Sequence, residues 1–107
     1  MVNINGELWK CVLVFPDHPA LLRSDGHYTL GACDDNKKTI YIRYNLNEHY
    51  FNKVLCHELT HAAMFSYNIE LDPLQEELLA DLIATYGQEI TYITNMLFKR
   101  IKEIRGT

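Results

Sequence analysis

The spacing of apolar residues changes character near residue 45 and divides the chain into a strand-like part and a helical part. Residues 7–15, Glu-Leu-Trp-Lys-Cys-Val-Leu-Val-Phe, are rich in β-branched and aromatic side chains and predict a strand that stops at Pro16. Residues 16–26 hold Pro16, Pro19, Ser24, Asp25 and Gly26, the composition of a loop with turns. Residues 27–33 can form a second strand and residues 39–44, Thr-Ile-Tyr-Ile-Arg-Tyr, a third. The polar run Asp34-Asp35-Asn36-Lys37-Lys38 between them suits the turn of a hairpin. The expected sheet is small, three-stranded and mostly antiparallel.

A helical period then takes over. Asn45 and Glu48 have capping-box spacing, and Asn47 offers a start shifted by two residues. Val54, Leu55, Leu59, Ala62 and Phe65 give a broad apolar face to a helix reaching about Tyr67, with Asn68 placed to end it. Asp72-Pro73-Leu74-Gln75 is a second start signal: Asp72 caps, Pro73 suits the first helical position, and Gln75 completes a capping box. The predicted helix covers residues 73–86, and Gly87 breaks or bends it. Residues 88–104 are helical again, with Ile90, Ile93, Leu97, Ile101 and Ile104 on one stripe. That stripe reads as core, with a partner-binding face as the alternative. The fold class is α+β: a small sheet, then one helix, then one long or two C-terminal helices. No repeat or composition shift divides residues 1–107, so a single domain is expected.

Composition narrows the function classes. Hydrophobic content of 48% and charged content of 22% describe an ordinary globular domain. A net charge of −4 supplies no basic field for nucleic acid. Lys99, Arg100, Lys102 and Arg105 form the only basic cluster, and its place near the C-terminus suits the end of a helix dipole. Cys11, Cys33 and Cys56 are odd in number and form no Cys-x-x-Cys pair. Cys56 reads as a small buried hydrophobe. The start Met-Val-Asn-Ile-Asn-Gly-Glu lacks a signal sequence, and no apolar run is long enough for a membrane span. A reduced, cytoplasmic protein is expected.

The chemistry concentrates in His57-Glu58-Leu59-Thr60-His61, an H-E-x-x-H pattern within the first predicted helix. Residues i and i+4 lie one turn apart on one helix face, so His57 and His61 can grip a single metal ion. Glu58 then projects beside the ion without binding it, where a general base takes a proton from water. Read as structure alone, the same five residues are a surface helix with two solvated histidines. A catalytic zinc site wants a third protein ligand and an open position. The helix after Pro73 offers Glu76, Glu77 and Asp81, of which Glu77 and Asp81 share a face. Glu77 is the natural third ligand, because its helix is otherwise apolar and an inward carboxylate needs a partner. Asp81 can hold the far nitrogen of a ligand histidine. Glu76 reads as a solvated acid of the first helical turn. His18, His27 and His49 read as solvated or hydrogen-bonded residues; one of them, or a tyrosine, is a candidate for stabilising an oxyanion.

His57-Glu58-x-x-His61 followed by Glu77-x-x-x-Asp81 resembles the Glu-ligand zincins, and Glu77-Leu-Leu-Ala80-Asp81-Leu-Ile-Ala84 resembles the Glu-x-x-Ala-Asn/Asp-x-Phe-Ala stretch of ImmA/IrrE-type metallopeptidases. The resemblance covers residues 7–87. It implies a minimal zincin-like domain of bacterial or prophage origin that uses Zn²⁺ to hydrolyse peptide bonds of an intracellular protein, with a repressor as a candidate substrate. It also implies that the strand at residues 39–44 is the sheet edge beside the site, along which substrate lies extended. The chain departs from the family at Thr60, where glycine is common, and carries no helix-turn-helix. The alternative is a zincin-like domain that binds a phage or host regulator without cleaving it.

Overall fold

A computed structural model describes residues 1–106. The molecule is α+β, with a four-stranded mixed sheet and a helical second half. The strands are β1 (Val2–Ile4), β2 (Glu7–Val14), β3 (Gly31–Asp34) and β4 (Thr39–Arg43), in the spatial order β1-β2-β4-β3. β1 pairs antiparallel with β2, β2 parallel with β4, and β3 antiparallel with β4.

The expected three strands are present, and β1 is a fourth. It turns into β2 through Asn5 and Gly6, whose φ values of 50° and 84° are those of a two-residue hairpin turn. Asn-Gly is the sequence that favours such a turn. The strand at residues 39–44 is not the sheet edge that was expected: β4 lies between β2 and β3, and β3 is the edge. The parallel β2–β4 pairing causes this, because the 15–30 connection carries the chain out to β3 and the hairpin returns it inside.

The helix α1 (Glu48–Ser66) covers one face of the sheet. Asn47 caps it, accepting a 2.9 Å hydrogen bond from the Tyr50 N–H, so the shifted start is the one used. Asn68 adopts a left-handed φ of 54° just past its end. Trp9, Ile40, Ile42 and Ala62 form the buried centre between sheet and helix. Trp9 Nε1 donates a 2.7 Å bond to Ser66 Oγ, which pins β2 to the last turn of α1.

α2 (Pro73–Leu82) opens with the expected capping box between Asp72 and Gln75. Gly87 does not break the chain direction. A π-helical turn (Ile83–Gly87) joins α2 to α3 (Gln88–Arg105), and the backbone stays right-handed helical through both junctions. The result is one rod about 50 Å long. Lys102 and Arg105 lie in its last turn, where cations suit the helix dipole. The stripe on α3 is not core: α3 holds no buried residue. The helical period is as expected, but the main neighbour of α3 is the π turn rather than the sheet. Among the described residues, no helix is long and apolar enough to cross a membrane.

Candidate metal centre

α1 packs against β3 on one side and α2 on another, and the facing turns of α1 and α2 bring the acids of α2 over the motif. His57 Nε2 and His61 Nε2 are 3.1 Å apart. The carboxylate of Glu77 bridges them, with Oε2 at 3.3 Å from His57 Nε2 and Oε1 at 2.9 Å from His61 Nε2. His57, His61 and Glu77 are the one group that the geometry offers for a metal among the described residues. All three are residues the sequence singled out.

The outer nitrogens of both rings face carboxylates. Asp81 Oδ1 lies 2.9 Å from His57 Nδ1, the placement expected for it. Glu76 Oε1 lies 2.8 Å from His61 Nδ1. Glu76 is therefore not the solvated acid that was expected; it is half-buried and holds a ring. Its signal was chemical rather than periodic: a second ligand histidine also needs a partner for its far nitrogen.

These contacts define what can sit in the centre. Where each Nδ1–H donates outward to its carboxylate, each Nε2 is left to present a lone pair inward. Two ring nitrogens and two carboxylate oxygens then converge with acceptors facing acceptors. A cation satisfies that arrangement. Tetrahedral zinc, with bonds of about 2.0–2.1 Å, spaces its ligand atoms about 3.4 Å apart, close to the separations here. Two imidazoles and a carboxylate are a donor set suited to zinc.

Glu58 is 7% exposed and lies against β3. Burial pushes its carboxyl above the usual glutamate value; His57 and His61 pull it down, and Glu77 pushes it up. The close approach depends on Gly31. A methyl group there would sit 2.6 Å from Val54 Cγ1 and 3.2 Å from Glu58 Oε2. Thr60 takes no part in the centre, since its hydroxyl donates to Cys56 O one turn back at 2.8 Å.

Compared with protein-family models, curated proteins and solved structures, the chain matches none. The site is therefore read from its own geometry.

Two cavities flank Glu58 and share Thr29, Gly31, His57 and Glu58 in their walls. One, of about 290 Å³, adds Leu30, Tyr50, Val54 and Ala84 together with the charged Lys53 and Asp81. The other, of about 310 Å³, adds His61, Glu77 and Arg23. Arg23 is the one cationic side chain lining the cavity that holds all three candidate ligands. No spacing in the sequence pointed to it. It arrives through a turn in which the Arg23 N–H donates to His27 O at 2.8 Å and Arg23 O accepts from the Gly26 N–H. His18, His27 and His49 line neither cavity: His18 Nδ1 accepts from the Ala20 N–H, and exposed His27 lies beside Asp25.

The edge strand runs past the same cavities. The Arg43 N–H donates to Leu30 O, which makes Gly31↔Ile42 and Cys33↔Ile40 the non-hydrogen-bonded pairs of the β3–β4 ladder. Gly31 and Cys33 consequently turn their N–H and C=O groups away from β4, toward the open side of the sheet.

Proposed function

We propose that the chain is a zinc-dependent endopeptidase with a minimal zincin-like plan of the ImmA/IrrE kind, acting on an intracellular protein or peptide. The observation that carries the reading is the convergence of His57, His61 and Glu77, with both outer ring nitrogens already held by carboxylates. These three side chains would hold the ion. Zinc so held supplies a Lewis acid, which polarises a carbonyl and lowers the pKa of water toward about 7.

The remaining steps belong to the protein. Glu58 accepts a proton from the attacking water as the new C–O bond forms at the scissile carbonyl. It returns that proton to the amide nitrogen as the C–N bond breaks. Its burial suits the task, because a raised carboxyl takes the proton from water more readily and keeps it until the leaving nitrogen, a much stronger base, accepts it. Asp81 and Glu76 fix the ring tautomers and orientations. Arg23 lines the ligand cavity and is the cation available to it where negative charge develops on the carbonyl oxygen. An extended peptide adds to the β3 edge through the outward groups of Gly31 and Cys33, and the cavity lined by Leu30, Tyr50, Lys53, Val54 and Asp81 takes one of its side chains. A domain that only docked a regulator would have no use for a buried Glu58, which costs stability without binding metal.

The test is zinc stoichiometry together with cleavage of an unfolded protein such as casein. Equimolar zinc, with cleavage abolished and zinc retained in Glu58→Gln, supports the proposal. Failure to bind zinc at micromolar concentration overturns it.

A further inference from the structure

Lys53 is a half-buried cation one turn before His57 on α1, and it lines the cavity of about 290 Å³ beside the candidate metal centre. Among the described residues it makes no ion pair. It also borders a larger cavity of about 910 Å³, but that one contains no residue of the motif.

The acids of the smaller cavity are engaged elsewhere. Asp81 Oδ1 is held 2.9 Å from His57 Nδ1. Glu58 stands five residues beyond Lys53, about 7.5 Å further along the helix axis, and lies against Gly31. Much of the remaining wall is apolar, from Leu30, Val54 and Ala84.

This lining sorts the side chains that can enter. An apolar one takes water from the ammonium and returns no hydrogen bond, which costs free energy. A basic one meets Lys53 with like charge, and the nearest carboxylate already serves His57. A carboxylate on a short aliphatic stem suits both parts of the wall. The stem lies on Leu30 and Val54, and the carboxylate accepts a charge-assisted hydrogen bond from Lys53. The attraction is local, because the chain as a whole carries −4 and does not draw in anions from a distance.

We propose, resting on the peptidase reading, that Lys53 selects glutamate or aspartate in the substrate, at the position beside the scissile bond whose side chain enters this cavity. The substrate class is then an acidic peptide segment.

The test is the cleavage profile of the zinc-loaded full chain on a mixed peptide library, with cut sites located by mass spectrometry. Glu and Asp should dominate one of the two positions flanking the cut. In a matched pair of peptides, Glu in place of Gln there should raise kcat/KM about 10-fold, the worth of one hydrogen bond to a charged group. Lys53→Met keeps the aliphatic stem and should abolish the difference. Lys53→Glu should reverse it, so that Lys or Arg is preferred at the same position, a gain of cleavage that an unfolded variant cannot give. Cut sites with no acidic preference overturn the inference and leave the peptidase reading standing. So does a preference that persists in Lys53→Met. Cleavage that needs a free C-terminal carboxylate, and fails on amidated peptides, moves the contact to the chain end and overturns it too. No cleavage of any peptide overturns both the inference and the peptidase reading.

Discussion

Gly31 and Glu58 touch without room for a side chain between them: a Cβ on Gly31 would lie 3.1 Å from Glu58 Cγ and 3.2 Å from Glu58 Oε2. The edge strand and the base are thereby set in fixed relation. Gly31→Ala forces α1 outward, chiefly through Val54 Cγ1 at 2.6 Å. The expected result is a loss of turnover of about 100-fold from misplacement of the base, with zinc still bound. Kinetics paired with metal analysis check this; unchanged turnover would mean that the base tolerates displacement.

Glu58→Gln separates catalysis from stability. Hydrolysis should fall to background, while the metal-free variant becomes more stable than wild type at neutral pH. The sign follows from the raised carboxyl of Glu58. A folded value above the unfolded one makes the residue's contribution most favourable below the unfolded value near 4.5, and that contribution is lost as pH rises through the folded value. Glutamine removes the titration. Above that window the metal-free variant should melt at a higher temperature than wild type. The difference should vanish near pH 4. Melting curves with a chelator present, at both pH values, read it directly.

The carboxylates of α2 should rank by zinc affinity. Glu77→Ala removes a bridging group that meets both ring nitrogens and should weaken zinc by more than about 100-fold. Asp81→Asn and Glu76→Gln leave the ligands in place but loosen one ring each, and should cost about 10–100-fold. Competition with a chromogenic chelator measures all three. Wild-type affinity in Glu76→Gln would return that residue to the role of a first-turn acid.

Legibility in the sequence followed the range of the cause. The motif and the approach of Glu77 to it were readable because His57 and His61 are fixed by helix geometry, and because Glu77 and Asp81 share a turn of a helix whose start Asp72 and Pro73 announce. Asn5-Gly6 also carried its hairpin locally, although three residues of β1 are too few to show a period. What could not be read depends on distant packing. β4 became interior because β2 pairs with it in parallel. Glu76 found His61 fifteen residues away. The stripe on α3 has the period of a core helix, and a period does not fix what packs against it.

Cys33 should be inert. Burial, then the charges of Glu58, Asp35, Asp34 and Glu76, push its thiol up to about 12. At pH 8 iodoacetamide should spare Cys33 in the folded protein and label it on unfolding, as peptide mass mapping would show. Rapid labelling in the folded state would mean that β3 opens readily from α1.

Arg23 separates transition-state binding from ground-state binding. It lines the cavity of His57, His61 and Glu77, and its guanidinium presents several donors on a rigid plane. If it meets charge that develops only during reaction, Arg23→Gln should lower kcat by about 100-fold and leave KM nearly unchanged. Arg23→Lys should recover part of that loss, since the charge returns without the fork. A phosphonate peptide, which imitates the charged tetrahedral state, should lose affinity in parallel with kcat. Zinc content should not move, because Arg23 offers no ligand atom. Were KM to rise with kcat constant, Arg23 would instead recognise a charge already present on the substrate, and the oxyanion would be left to other groups.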